Sequence, residues 1–526
     1  MRRLTLTGLC ALTAALLTAA PLAAPASSLT ATASSATATS GPDPDRPWVV
    51  RSTTLALRPE YFTPLCHRPD AGLPEELGFR VPLRPEGVVF QAVADYSSED
   101  KDGTVFWSGH HKGHPERQVF IHVTHACDGG PVSLYGSADL GRYQYNARPV
   151  DGRPGVAVFE EIDPAELPSS EGDDVDMDPA APTLAIRPDR PGAGVVLKKA
   201  TPQAPAVIDV VVGFTPLAAG QAREYGSLQS TGADIEHRMN TSLSDSGVPA
   251  RINVVHVEEF EDYTGHESTA KVLDHLKDAD DEELGRPAQK LRDRLGADLV
   301  TVVTDWGSGT GTYPFSAADL PGPGTDHKAF SAVGFDSISS HSSSHELGHN
   351  LGLAHDRGTA LNGGTGSAMA LSTRFPYNTG WIAPDKSFRT IMAYGEYCDG
   401  CERIGRFSDQ RQKWHGRPLG DEKNDSAGVL RVTTPLIAAY RRPAKPPKRH
   451  ALKVGHTPKS GGSVRPRVWG PYRPGDRIKV MAEPEKGFRF TGWTLDGKKS
   501  RHTGPELILT MNKPRALTAR FAPKVR

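Results

Sequence analysis

The residues with the clearest chemical potential lie in the segment 344–356, which reads SHELGHNLGLAHD. His345 and His349 are four residues apart, so on a helix both imidazoles lie on one face and can share one ion. Gly352 allows the chain to leave the helix through a backbone conformation that is costly for other residues. The turn would then deliver His355 as a third nitrogen ligand. Three neutral imidazoles with an open fourth position are typical of a catalytic zinc site.

Glu346 supplies the second part of this chemistry. It is offset by about 100° from His345 around the helix, so its carboxylate can reach a metal-bound water rather than the metal. The short pattern His-Glu-x-x-His also occurs by chance on surface helices, but the glycine and the third histidine at the required offsets make chance remote. Farther along the chain, Met392 lies in a tight segment, TIMAY, just before Gly395.

Together these residues match the extended pattern H-E-x-x-H-x-x-G-x-x-H followed by a methionine turn. The segment 205–440 therefore resembles the metzincin metallopeptidases, and its HELGHNLGLAHD sequence is most similar to the reprolysin-like (adamalysin) branch, which includes secreted bacterial members. The resemblance implies a catalytic domain divided by a cleft, with the zinc-binding helix at its floor. It also implies these roles: zinc ligands His345, His349 and His355, general base and proton donor Glu346, an apolar floor from Met392, and local structure fixed by Asp356.

Tyr394 is a further candidate catalytic residue. It follows Met392 by two residues, a spacing similar to that in astacin- and serralysin-like relatives. In those relatives a tyrosine approaches the zinc and can stabilise the oxyanion. The alternative is a tyrosine that only packs in the core.

Four cysteines lie outside the N-terminal leader, and an even number in an exported chain suggests disulfides. Three connectivities are open, and we expect Cys398–Cys401 and Cys66–Cys127, because the first pair shares the four-residue turn CDGC. That turn is also half of a zinc ribbon, but the sequence holds no second CxxC. The segment 64–70, PLCHRPD, is superficially similar to the cysteine-switch segment of matrix metallopeptidases, in which a thiolate blocks the zinc, although the neighbouring basic and glycine residues of that motif are missing.

The N-terminus predicts export. Arg2 and Arg3 precede an apolar stretch, and the small-residue pattern at 24–26 is typical of a signal-peptide cleavage site rather than of a membrane anchor. Beyond it, no apolar run reaches the roughly 18 residues needed to span a bilayer. We therefore expect a secreted, extracellular protein with no transmembrane segment.

The 526 residues predict a multidomain chain of the α+β/α/β class. In the catalytic segment, strand signals alternate with helical patterns, which predicts a mixed sheet with an active-site helix. The strand signals lie at 207–212, 252–257, 298–303 and, as an edge, 329–335, and the helical patterns lie at 217–246, 271–276, 283–295 and from about 340.

The predicted division of the chain follows its composition. Residues 46–168 are β-like and resemble the propeptide region of secreted reprolysin-like peptidases. The predicted parts are a signal peptide (1–26), a disordered leader (27–45), a β-rich N-terminal or propeptide-like domain (46–168), an acidic Pro-rich linker (169–204), the metzincin catalytic domain (205–440), a basic Pro-rich linker (441–450) and a small all-β module (451–526).

The last module resembles a divergent internalin-type B-repeat, through GFRFTGW at 487–493 and the closing ARF at 519–521. The formal net charge of −1 arises because a basic C-terminal part and an acidic remainder cancel. Residues 441–526 hold 22 Lys and Arg against 5 Asp and Glu. We expect the module to bind an anionic cell-surface polymer, a polysaccharide or nucleic acid through salt-sensitive contacts.

The other histidine and acidic clusters are more simply explained without a bound metal. A second metal site could involve His110, His111 and His114, or His122, His125 and Cys127, but solvated or hydrogen-bonded histidines are favoured. The acidic run 171–178 could bind Ca2+, yet it lacks a calcium-loop pattern and is more typical of a solvated loop.

The sequence therefore predicts a secreted zinc metalloendopeptidase, made as a zymogen, that acts on protein or peptide substrates. The alternative is a surface-binding or adhesion protein with an inactive or incidental zinc site. The sequence carries no signal for an oligomeric state.

Overall fold

A computed structural model describes residues 28–30, 37–40, 46–66, 76–163, 166, 199–313, 325–362, 374–442 and 448–524, apart from positions 85, 100–102, 151, 306 and 308. The predicted signal peptide, most of the leader and of the acidic linker with its run at 171–178, and the centre of the basic linker lie outside these residues. Among the described residues, no helix combines the length and the apolar character needed to cross a membrane.

The N-terminal domain is a sheet built from short strands with alternating burial. Its strands are β1 Ser28–Thr30, β2 Thr37–Ser40, β3 Val49–Ala56, β4 Glu76–Val81, β5 Val88–Glu99, β6 Val105–His111, β7 His114–Thr124, β8 Ser133–Asp139, β9 Gln144–Val150 and β10 Arg153–Ile162. They pair in the order β1-β4-β5-β6-β7-β8-β9-β10-β3-β2, and all but the β1–β4 pair are antiparallel. One face packs around the fully buried Trp107. Two 3-10 turns, Pro59–Tyr61 and Thr63–Leu65, lead into the disulfide Cys66–Cys127.

The central domain has a mixed sheet with helices packed on it. Its first part consists of β11 Ala206–Phe214, α1 Pro216–Tyr225, α2 Leu228–Asp245, β12 Ala250–Glu259, α3 Thr269–Lys277, α4 Gly285–Leu295, β13 Leu299–Thr304, β14 Gly309–Gly311, β15 Phe330–Gly334 and α5 Ser342–Asn350. The strand order is β12-β11-β13-β15-β14, and only β14 runs antiparallel to its neighbour. Every residue of β13 is buried, which explains its continuous apolar and threonine sequence, LVTVVT.

The predicted edge strand at 329–335 was wrong in its position. β15 lies between β13 and β14, and β14 forms the edge of the described sheet. The sequence Gly309-Thr310-Gly311 has little intrinsic preference for a strand. It becomes one because it pairs with β15 across the sheet.

The single helix predicted at 217–246 was also wrong, because the chain breaks it into α1 and α2. Gly226 has a φ of 153°, which ends α1. Ser227 then caps α2: its side chain accepts from the backbone of Ser230, whose side chain in turn accepts from the backbone of Ser227. This reciprocal capping starts a new helix in a new direction.

The second part of the central domain wraps the end of α5. It contains β16 Ala354–Asp356, α6 Arg357–Asn362, β17 Thr379–Gly380, β18 Asp409–Trp414, β19 Arg417–Leu419 and α7 Ser426–Ile437. A 3-10 turn, Glu396–Cys398, leads into the second expected disulfide, Cys398–Cys401.

The C-terminal module comprises two small sheets around Trp493 and Tyr472. Its strands are β20 Leu452–Thr457, β21 Gly462–Pro466, β22 Arg477–Pro484, β23 Phe488–Leu495, β24 Lys498–Lys499, β25 Glu506–Thr510 and β26 Arg515–Pro523. One sheet has the order β20-β26-β23-β24, and the other joins β21, β22 and β25. β22 also pairs with β5, where Arg477 and Ile478 lie opposite Ser97 and Tyr96. The module is therefore docked onto the N-terminal domain.

A buried cation joins all three domains. Arg467 of the module donates to Asp95 of the N-terminal domain (3.1 Å) and to Asp245 of the central domain (2.9 Å). All three residues are buried. The guanidinium holds the pKa of Asp245 below its usual range despite burial, so both charges persist inside the protein.

Candidate metal centre

Helix α5 carries the first half of the site. The 3-10 turn Phe335–Ser340 precedes it, and His341 enters it with a φ of 67°. Every residue of α5 is buried. At its far end, Asn350 donates through Nδ2 to the backbone oxygens of Thr312 (2.9 Å) and Phe330 (2.8 Å). The helix is thereby held against the edge of the central sheet.

His345 and His349 lie on one face of α5, as their spacing predicts. Their Nε2 atoms are 3.0 Å apart. The Nδ1 of His345 donates to the backbone oxygen of Ile391, and the Nδ1 of His349 donates to that of Leu353, both at 2.8 Å. A carbonyl oxygen can only accept, so each Nδ1 carries the proton and each Nε2 keeps a lone pair for a shared cation.

The turn at Gly352 positions the third imidazole, that of His355. Gly352 has a φ of 94°, which turns the chain out of α5 and into β16. His355 lies in β16, fully buried. The nitrogens that His345, His349 and His355 can offer to a metal lie within 4.8 Å of one another. The sequence-predicted triad is thus brought together at one point.

The electrostatics keep the first two histidines of this triad neutral. Burial lowers the pKa of His345 and of His349 well below the usual range, and the neighbouring imidazoles lower it further. Neutral imidazole is the form that binds a metal.

The side chain of Glu346, a residue of α5, lies between this helix and the edge strand β14. The side chain is buried. A β-carbon placed on Gly309 would lie 2.5 Å from Oε1, and one on Gly311 would lie 3.2 Å from Oε2. The two glycines of β14 therefore make the space that the carboxylate occupies. Sequence reasoning missed them, although the repeated glycine in GTG, ahead of the helix, was the available signal.

The remaining predicted residues surround the triad. A β-carbon on Gly348 of α5 would lie 2.5 Å from the sulfur of Met392, so this methionine lies directly beneath the helix. The carboxylate of Asp356 accepts from the backbone nitrogens of Thr359 (3.0 Å) and Tyr394 (3.1 Å). It thus ties the segment after the triad to the methionine segment.

Tyr394 is buried and packs its ring against two imidazoles. The ring centroid lies 4.4 Å from that of His355 and 5.7 Å from that of His345. The tyrosine therefore belongs to the wall of the site.

The family comparison agrees with this geometry. Residues 231–356, from α2 to the residue after the third histidine, match the family model described as metallo-peptidase family M12B, reprolysin-like. This segment is therefore similar to a reprolysin-like metallopeptidase domain. Residues 452–525 match the model described as divergent InlB B-repeat domain. The resemblances to reprolysin-like peptidases and to the internalin-type B-repeat are confirmed.

Comparison with whole proteins adds only distant likenesses. No curated protein matches the chain. The solved "Structure of a chaperone-substrate complex" is similar at a TM-score of 0.34 and 17% identity, over 45% of this chain and 35% of that chain. Metalloproteinase-II from Bacteroides fragilis is similar at a TM-score of 0.31 and 14% identity, over 54% of this chain and 83% of that chain. The chain thus spans about a third of the length of the first of these structures.

Sequence reasoning also missed Arg403 of the central domain, the second residue after the CDGC turn. It donates through Nη1 to the backbone oxygen of Ser340 (3.4 Å), and its charge interacts with Glu346 and Tyr394. Burial lowers its pKa. The arginine links the start of α5 to the wall of the site.

The N-terminal domain packs on the central domain close to the start of α5. Tyr135 donates to Asp234 of α2 (3.2 Å), and Arg238 of α2 donates to Ser137 (2.8 Å). Gln144 donates to the backbone oxygen of Ser339, just ahead of α5 (3.3 Å). At this interface, burial lowers the pKa of His341 to about 3, which keeps that imidazole neutral.

The other candidate sites are not assembled. Within the described ranges, the triad is the one group of three or more residues placed to hold a metal. His110 instead bonds Asp95 through Nδ1 (2.7 Å), and His125 bonds Asp128 (2.7 Å). The disulfide with Cys127 occupies the sulfur of Cys66, which leaves no thiolate there for a cysteine switch.

Proposed function

We propose that the protein is a secreted zinc-dependent metalloendopeptidase in which His345, His349 and His355 would hold the metal. One observation carries the proposal. The neutral, buried imidazoles of His345 and His349 bring their Nε2 atoms together, and the Nδ1 atom of each donates to a backbone carbonyl. Zinc–nitrogen bonds in a tetrahedral site place neighbouring ligands about 3.3 Å apart. The 3.0 Å between the first two Nε2 atoms suits such an ion. When bound, zinc would supply Lewis acidity toward a peptide carbonyl and toward water.

Glu346 would carry the proton of the reaction. Its carboxylate would accept a proton from the attacking water and pass it to the leaving amine. Glu346 directly follows His345 in α5, and its buried side chain beside β14 stays close to the triad. Tyr394, packed on His355, would donate a hydrogen bond to the oxygen that gains negative charge.

The edge strand would align the substrate. β14 is the last strand in the described order and pairs on one side with β15. An extended peptide can add to such an edge through backbone hydrogen bonds. This arrangement would bring a peptide bond alongside Glu346 and favours cleavage within a chain.

The N-terminal domain would act as a prodomain. It contacts α2 and the entry of α5, and it is joined to the reprolysin-like domain by the linker 169–204, where we place the maturation cut. The disulfides fit an exported protein, since they persist in oxidising compartments. N-terminal sequencing of the active form should give a start between residues 168 and 205, and a start within 46–163 would contradict this role.

Metal removal and return test the proposal. The full chain, matured with its own or an added protease, should cleave an unfolded protein substrate, lose that activity with a chelator and regain it with Zn2+. The alternative, a surface-binding protein with an inactive site, draws on the B-repeat match at 452–525. That alternative would be supported if the matured, zinc-loaded chain left every unfolded substrate intact.

A further inference from the structure

The sheet β20-β26-β23-β24 of the C-terminal module has one buried face and one open face. Leu517, Ala519 and Phe521 of β26 point into the core of the module. Trp493 of β23, opposite Ala519, joins them. Because side chains alternate along a strand, the residues between these positions lie on the other face.

The open face carries cationic side chains, and the residues around them are small. Register places on it the exposed residues Lys453 of β20, Arg489 of β23, Lys499 of β24 and Arg520 of β26. We call these four residues the cationic face. Arg489 lies opposite Ala522, two residues from Arg520, so the two arginines are diagonal neighbours about 7–8 Å apart. Their neighbours on this face are Gly455, Thr457, Thr494, Ala516, Thr518 and Ala522.

No carboxylate neutralises the cationic face within the described part of the chain. None of its four side chains takes part in an ion pair there. The nearest acid along the strands, Asp496, accepts from the backbone of Ala516 (2.9 Å) and pairs with Arg515 (2.8 Å). The four charges are therefore available to a ligand.

Among the described residues, the docking of the module leaves this face outside the contacts with the other two domains. The contacts run through the other sheet, by the pairing of β22 with β5, and through Arg467. Gln203 reaches only the strand edge, where it donates to the backbone oxygen of Val454 (3.2 Å).

We propose that the cationic face binds a linear phosphodiester polymer of the cell-envelope kind, such as poly(glycerol phosphate). Guanidinium groups match phosphate oxygens with paired donors, and lysines add charge at less defined angles. The described residues of this face include no aromatic ring, so it has no platform for stacking nucleic-acid bases. Recognition would therefore rest on the phosphates alone. The proposal extends the function of the protein and does not depend on the triad.

The test compares two matched variants of the full chain. The first replaces Lys453, Arg489, Lys499 and Arg520 with Gln. The control replaces cations elsewhere on the module with Gln, and so removes the same charge: Lys459, Lys486, Lys498 and Arg501, all exposed and away from the cationic face. Binding of poly(glycerol phosphate) is measured from low to physiological salt, with polygalacturonate as a carboxylate polymer and single-stranded DNA as a nucleic acid.

We expect the first variant to bind poly(glycerol phosphate) at least about tenfold more weakly and to show a flatter salt dependence, because up to four phosphate contacts are lost. The control should stay within about twofold of the native chain. Equal losses in both variants would show that only net charge matters and would overturn the assignment. Equal or tighter binding of polygalacturonate or DNA by the native chain would overturn the choice of ligand. Circular dichroism of each variant verifies the fold.

Discussion

Gly309 lies against the carboxylate of Glu346 with no space for a side chain between them. A β-carbon at position 309 would lie 2.5 Å from Oε1 and 2.6 Å from Cγ of Glu346. Nonbonded heavy atoms normally approach to about 3.5–4.0 Å. The edge strand thus fixes where the proposed general base can lie, from outside the helix that carries it.

Gly309→Ala should therefore displace Glu346 and slow peptide hydrolysis. We expect kcat to fall about 100-fold, since misplacing a catalytic group by about 1 Å has that effect. Zinc content should change little, because the triad is untouched. Gly220→Ala in α1 is the control, as an added β-carbon there meets nothing within 4 Å. An unchanged kcat in Gly309→Ala would show that the contact does not position the base.

Tyr394→Phe tests the role of the tyrosine packed on His355. If its hydroxyl stabilises the developing negative charge, removing it should lower kcat about 100-fold with little change in KM or zinc content. Tyr397, three residues on and 38% exposed, provides the control variant Tyr397→Phe. If both variants hydrolyse peptides at the native rate, Tyr394 is only a packing residue.

Arg467→Met should weaken the contact among the three domains. The substitution would leave Asp95 bonded to His110 and Asp245 paired with Arg465, so each buried carboxylate would lose one charged hydrogen bond, which costs about 1.5–3 kcal/mol. A clear drop in the thermal unfolding midpoint of the full chain is expected. Arg501→Met, at an exposed position, should change stability by less than about 0.5 kcal/mol. Matching midpoints for the two variants would mean that the buried pairs do not stabilise the assembly.

Stability should also depend on pH through Asp298. Burial raises the pKa of this carboxyl to about 7, although it accepts from the backbone nitrogens of Asp209 and Arg441. In the unfolded chain the pKa is about 3.9. The raised value means that the contribution of Asp298 to stability is fully present below about pH 4 and is lost as pH rises through 7.

Asp298→Asn, a neutral mimic of the protonated acid, should therefore gain stability relative to the native chain between pH 5 and pH 8. Thermal midpoints at both pH values measure the effect. The control Asp262→Asn, at an exposed position, should not gain stability over the native chain as the pH rises. If the difference in thermal midpoint between Asp298→Asn and the native chain stays constant from pH 5 to pH 8, Asp298 does not cause the pH dependence.

The parts of the site that the sequence could predict are local ones. His345 and His349 lie within one helix, and Gly352 delivers His355 by a single turn, so spacing alone determines their meeting. Asp356 and Met392 were expected from family resemblance, and the structure places both beside the triad.

The parts that could not be predicted depend on distant pairing. β14 has almost no strand preference of its own and exists because β15 lies beside it. Asp95, Asp245 and Arg467 are separated by at least 150 residues along the chain and meet only in the assembled domains. No local pattern marks such partners, since each charge alone resembles a solvated surface residue.

The most direct test of the central claim is the Glu346→Gln variant, made as the full chain and matured with an added protease, measured for zinc content and peptide hydrolysis together. Glutamine keeps the shape of the side chain but cannot accept the proton, so hydrolysis should fall about 100-fold or more. Zinc binding should match that of the native chain, and the exposed control Glu396→Gln should remain fully active. If Glu346→Gln binds zinc and cleaves peptides at the native rate, Glu346 is not the general base and the proposed mechanism is wrong.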